Sequence, residues 1–154
     1  MIKANELRIG NVVTNEEWGG FHKVQGIEVK DKGWELKING FVHDMNINYH
    51  NIKPIPLTKE ILIACGFEEP PHDTILSGMF IYIGRDRHLS VSCLGTSNEM
   101  VFLCHKGMAT NAIAQDAICI HNYDFDGSLS LHQLQNLYFM LTNEELEINY
   151  KDLK

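Results

Sequence analysis

A chain of 154 residues and 17.6 kDa makes one domain or two small lobes, long enough to bury about 68–70% of its unfolded surface without a disulfide or metal staple. At 44% hydrophobic and 21% charged residues, its composition is that of a globular protein and excludes fibrous, disordered and membrane-spanning classes. Its 13 basic and 20 acidic side chains leave a net charge of −7, which opposes nonspecific binding to nucleic acid or to an anionic membrane.

The segment Met1–Asn11 has no uninterrupted apolar stretch of the secretory kind, and the longest apolar runs, Ile61–Cys65 and Ala117–Ile120, fall far short of the roughly 20 residues that cross a bilayer. The expectation is a soluble, cytoplasmic protein without a membrane partner. Cys65, Cys93, Cys104 and Cys119 form no CxxC pair, so reduced thiols are expected and a structural zinc site is not.

In chain order, Asn11–Thr14, Phe21–Lys30 and Trp34–Ile38 are short β-branched and aromatic runs between the turn signals Trp18-Gly19-Gly20, Asp31-Lys32-Gly33 and Asn39-Gly40. Asn39-Gly40 suits a two-residue hairpin, whose central positions need positive φ. These strands predict a bent, barrel-like antiparallel sheet over residues 1–57, closed off by Pro54 and Pro56, which cannot donate to a ladder. Thr58 then N-caps a short linking helix, Lys59–Cys65, ended by Gly66. After the Pro70-Pro71 loop, a second antiparallel region is predicted from Thr74–Ile83, His88–Leu94, Met100–His105 and Ile118–Tyr123, with a helical turn or two in Ala109–Ala117. The last element is an amphipathic helix. Leu131, Leu134, Leu137, Tyr138 and Leu141 recur at helical spacing, and Ser130 with Gln133 makes a capping box. The expected fold is α+β, with residues 1–57 a small β lobe and 58–154 an α+β lobe.

Several segments carry candidate chemistry. Arg85 and Arg87 are two of only three arginines. They flank a predicted turn, with His88 following, and arginine forks hold phosphates bidentately. Set against this is an ordinary solvated hairpin turn around Asp86. Trp18 lies in a Gly-containing loop, where its ring can stack on a base for roughly 1–3 kcal/mol or pack against a neighbouring lobe or subunit. Trp34 reads as core. His72-Asp-Thr74 and His88-Leu-Ser90 match the His-x-Ser/Thr pattern in which a histidine serves as acid or base beside a phosphate-holding hydroxyl, although eight histidines produce such a pattern by chance. Most of these histidines read as surface or half-buried groups. Asn122–Gln133 imitates a calcium loop, but a neutral Asn stands at its first position and Gln133 replaces the bidentate carboxylate at its last. A strand-to-helix turn is the better account. No Gly-rich phosphate loop, Gly-x-Ser-x-Gly elbow or HExxH motif occurs, so no catalytic residue, metal or cofactor is assigned.

Three segments together, Ala4–Asn11, Ile52–Thr58 and His132–Thr142 with Glu144–Leu146, resemble a group of short, largely uncharacterised proteins of gut-type bacteria, prophages and phages. The resemblance implies a small protein of mobile-element origin and carries no catalytic residues with it. Gln133, Gln135 and Asn136 within it are the types that satisfy backbone groups at a sheet edge or form a polar contact surface. Small proteins of such origin often sequester host nucleotide signals or block a host protein.

The function expected first is therefore non-enzymatic binding of a small phosphorylated or nucleotide ligand through Trp18, Arg85, Arg87 and His88, in a counter-defence role and with a homo-oligomer in view. The alternatives are a phosphoesterase-like enzyme using His72 or His88, and a protein-interaction module acting through the C-terminal helix or an edge strand.

Overall fold

The computed structural model describes residues 2, 6–15, 19–30, 33–39, 44–48, 52–69, 78–92, 94, 99–105, 118–122 and 128–153. The fold is α+β, with two antiparallel sheets and few helices. The chain divides into two units. Met1–Pro56 with Ser130–Met140 forms the first, and Leu57–Leu129 with Leu141–Lys154 the second.

The first unit holds strands β1 (Val12–Asn15), β2 (His22–Lys30), β3 (Gly33–Asn39), β4 (Asp44–Asn48) and β5 (Ile52–Lys53) in the order β4-β3-β2-β1-β5. The sheet is open, which corrects the barrel-like expectation. Its edges are β4 and β5, and β5 is only two residues long because Pro54 and Pro56 cannot extend the ladder. A second correction concerns Asn39-Gly40. Asn39 is paired with Asp44, so the connection takes residues 40–43, and the two-residue spacing falls instead between Lys30 and its partner Gly33. Strand β4 was not expected. Its signal is the alternation Met45-Asn46-Ile47-Asn48. Ile2, Leu7, Val13, Val24, Leu36, Ile38 and Ile52 cluster as the core.

The last helix, α2 (Leu131–Thr142), returns to this first sheet rather than keeping to residues 58–154. It buries Leu131, Leu134 and Leu137, and Asn143 at φ 59° ends it in the left-handed conformation that Asn tolerates. The Leu131 amide donates to the Ile55 carbonyl at 2.9 Å.

In the second unit, Thr58 caps α1 (Lys59–Ala64) by accepting from the Ile61 amide at 3.3 Å. Gly66, at φ 84°, turns the chain out. Its amide donates to the Ile63 carbonyl and that of Phe67 to the Leu62 carbonyl, the paired bonds of a Schellman ending. The second sheet follows in the order β6 (Gly78–Ile83), β7 (Arg87–Ser92), β8 (Met100–His105), β9 (Ile118–Asn122). Met79, Leu89, Val91, Val101 and Leu103 fill its apolar face. Residues 70–77, 106–117 and 123–127, and with them the expected helical turns of Ala109–Ala117, lie outside the described residues.

Candidate functional site

Strands β6 and β7 are joined by Gly84-Arg85-Asp86, with Gly84 at φ 63° starting the turn. Arg85, Asp86 and Arg87 are all exposed, as a turn of charged residues should be. His88 is not. It is 5% exposed, and because strand side chains alternate between faces, Arg87 and His88 point to opposite sides of the sheet. The structure thus separates two of the expected ligand groups. Arg87 shares its side with Leu89 and Val91, whereas His88 shares its side with Ser90 and Ser92.

The cross-strand register fills in the surroundings of His88. Tyr82 is its direct partner in β6, and Phe80 and Gly78 stand opposite Ser90 and Ser92. The Phe80 ring centroid is 5.7 Å from that of His88 and the Tyr82 centroid 6.4 Å, both edge-to-face. Phe80 and Tyr82 themselves meet edge-to-face at 5.4 Å. Ser90 and Ser92 are buried, and their hydroxyls converge over Gly78: a Cβ there would stand 3.0 Å from Ser92 Oγ and 3.3 Å from Ser90 Oγ. Glycine is required at this position by close approach. Burial pushes the His88 pKa down, so the imidazole is neutral at pH 7, and its Nε2 is buried with no hydrogen-bond partner among the described residues. Orphaned buried polar atoms are rare and call for an explanation.

The remaining expected residues fare unequally. Trp18 and His72-Asp-Thr74 lie outside the described residues, as does the side chain of Trp34. Cys65 and Cys104 carry free thiols, and burial pushes the Cys65 thiol up to about 12, which leaves it inert. In the calcium-like segment, Gln133 Oε1 accepts from the Ser130 amide at 3.0 Å and from its hydroxyl at 2.7 Å, so it caps a helix. A strand, β9, precedes the loop where a calcium hand needs a helix. Among the described residues no group of three His, Cys, Asp or Glu side chains is placed to hold a metal, and no helix is long and apolar enough to cross a membrane.

The conspicuous polar groups of the last helix serve structure in the first unit. Gln135 Oε1 accepts from the Val12 amide at 2.7 Å, and Asn136 Oδ1 from Asn11 Nδ2 at 2.9 Å. Asn136 Nδ2 donates to the Glu6 carbonyl at 2.8 Å. The Arg8 guanidinium lies 4.0 Å from the Phe139 ring centroid. Gln135 therefore satisfies a sheet backbone group, the first of the two roles open to it.

Most histidines read as surface or half-buried groups from the sequence; His22, His88 and His132 are buried, and the side chains of the other five lie outside the described residues. Composition alone does not reveal which histidines are buried. Phe80, Tyr82, Ser92 and Gly78 were missed as site residues, because only the β6–β7 register brings them to His88.

No family model, curated protein or solved structure matches the chain.

Proposed function

We propose that the protein is a non-enzymatic binder of a small phosphorylated or nucleotide ligand, and that the β6–β7 hairpin of the second unit receives it. The observation that carries this reading is the buried Nε2 of His88, which has no hydrogen-bond partner among the described residues, with Phe80 and Tyr82 edge-to-face against the imidazole. One feature of the hairpin supports it. The exposed guanidinium of Arg85 is borne by the turn next to the Tyr82–His88 pair. A local cation at such a place sets affinity for a small anion even on an acidic protein. By the phage resemblance, the ligand is a nucleotide signal of host immunity, held intact rather than cleaved.

Thermal melting against cyclic nucleotides and ADP-ribose derivatives, with the ligand recovered afterwards, tests the reading. A ligand at a hundredfold its Kd adds about 2.7 kcal/mol, a rise of roughly 5–10 °C in Tm for a chain of this size. The reading expects that rise, its reduction in Arg85→Ala and in His88→Ala, and unaltered ligand on recovery. A flat response across the panel overturns it.

One observation favours a second reading, cleavage of the same ligand. His88 and Ser90 lie on one face of β7, as a His-x-Ser acid–base pair requires. Cleaved product on recovery, abolished in His88→Ala, would establish it.

A further inference from the structure

The contact between α2 and the first sheet has a titratable group inside it. His132, the second residue of the helix, is 2% exposed. The Ser130 hydroxyl donates to Gln133 Oε1 at 2.7 Å, so its oxygen accepts the Nδ1 proton of His132 at 2.9 Å. This fixes the neutral tautomer with a bare Nε2, which is buried and meets no acceptor among the described residues. The bonds that join helix to sheet lie along the same stretch. The Leu131 amide donates to the Ile55 carbonyl, Asn11 Nδ2 to the His132 carbonyl at 3.4 Å, and the Val12 amide to Gln135 Oε1.

A second proton on this ring makes a buried cation with an unsatisfied donor. It also stands in the first turn of a helix, whose dipole disfavours positive charge there. The neighbours offer little relief. Asn11, Val12 and Ile55 on the sheet side are neutral, as are Ser130, Gln133, Gln135 and Asn136 on the helix side. The Glu6 carboxylate, from the segment before β1, favours the proton, but by less than burial opposes it. Arg8 reaches Asn136 one turn along the helix and brings a further positive charge.

With α2 off the sheet the ring lies in water and takes up its proton near pH 6.5. Falling pH therefore favours the released state by linkage, with no path needed for a proton into the closed one. Burial lowers the His132 pKa to about 4 and moves that of His88, the buried imidazole of the second unit, by less.

We infer that acid opens the first unit ahead of the second: protonation of His132 releases α2 from its sheet and uncovers the face of Leu131, Leu134 and Leu137. The fold thus contains a pH-sensitive latch.

The chain carries its own reporter. Trp18 and Trp34, its two tryptophans, both fall within the first unit. The full chain is titrated from pH 7.5 to 4, with tryptophan emission followed for the first unit and the amide NMR signals of β6–β8 for the second. The emission should change while the β6–β8 amides keep their dispersion, and return to pH 7.5 should reverse it. In His132→Gln, whose amide stays neutral, the change should move to lower pH or leave the range. Should that variant fail to fold, nitrogen NMR of the histidine rings decides in the parent. His132 should stay the Nδ1-protonated tautomer until the emission changes. The inference is overturned by any of four results: emission constant to pH 4, both units lost in one transition, an unmoved midpoint in folded His132→Gln, or a His132 imidazolium in the closed first unit.

Discussion

The buried histidines show what single residues contribute. His132 is 2% exposed and sits in a chain of three side chains. Because Gln133 Oε1 is an acceptor, the Ser130 hydroxyl must donate to it, and the contact of 2.9 Å between Ser130 Oγ and His132 Nδ1 is then made by the Nδ1 proton. Nε2 is left bare, buried and without a partner among the described residues. A second proton there meets no acceptor, and burial lowers the pKa to about 4, against a smaller raising effect from Glu6. The unfolded chain takes up that proton near pH 6.5. Between pH 6.5 and 4 the unfolded state therefore binds more protons, and the contribution of neutral His132, full above pH 6.5, fades as pH falls. The expected loss is at most about 3 kcal/mol by pH 4. Urea denaturation of the parent and of His132→Gln at pH 7.5, 5.5 and 4.5 checks this. The stability gap between them should shift against the parent on acidification, and a constant gap would show that the buried imidazole is protonated without cost.

At the scale of elements, turn chemistry was the most legible layer. Thr58 and Gly66 frame α1 because a hydroxyl cap and a left-handed glycine act locally, within a few residues of chain. Strand β8 was legible end to end, and α2 from its leucine spacing. Pairing was not. Whether Asn39 turns or pairs depends on Asp44, and whether a sheet closes depends on edge strands distant in sequence. The same limit governs the site: His88-Leu-Ser90 was visible as a pattern, but Phe80, Tyr82 and Gly78 reach it only through register. The polar side of α2 was legible in kind, since Gln and Asn in an otherwise apolar helix must find partners. Gln135→Leu tests how much that pairing contributes. It preserves bulk and removes the acceptor of the Val12 amide, whose residue is 2% exposed. An unsatisfied buried N–H costs about 1–3 kcal/mol, so the urea midpoint should fall correspondingly with the m-value unchanged. A midpoint equal to the parent's would mean that the amide finds another acceptor.

For the whole molecule, the order in which the chain visits its units has a consequence that its composition does not reveal. The first unit is discontinuous: its sheet comes from Met1–Pro56, but its helix arrives only after the entire second sheet has been made. The sequence boundary at residue 57 falls where the prolines break the ladder, yet cutting there removes α2. With it go three leucines at 0%, 0% and 8% exposure, each contributing about 1.5–3 kcal/mol by burial. The acceptor for the Val12 amide and the donor to the Ile55 carbonyl are lost as well. A core this small supplies no more than about 3–5 kcal/mol of net stability, so the missing helix outweighs the margin. A fragment of residues 1–57 is therefore expected to stay unfolded, with collapsed amide dispersion in its NMR spectrum. The same fragment joined by a flexible linker to residues 128–142 should regain dispersed amides and a cooperative urea transition. If residues 1–57 fold alone with full dispersion, the helix is an accessory to the first sheet, and the leucine face of α2 exists for another purpose.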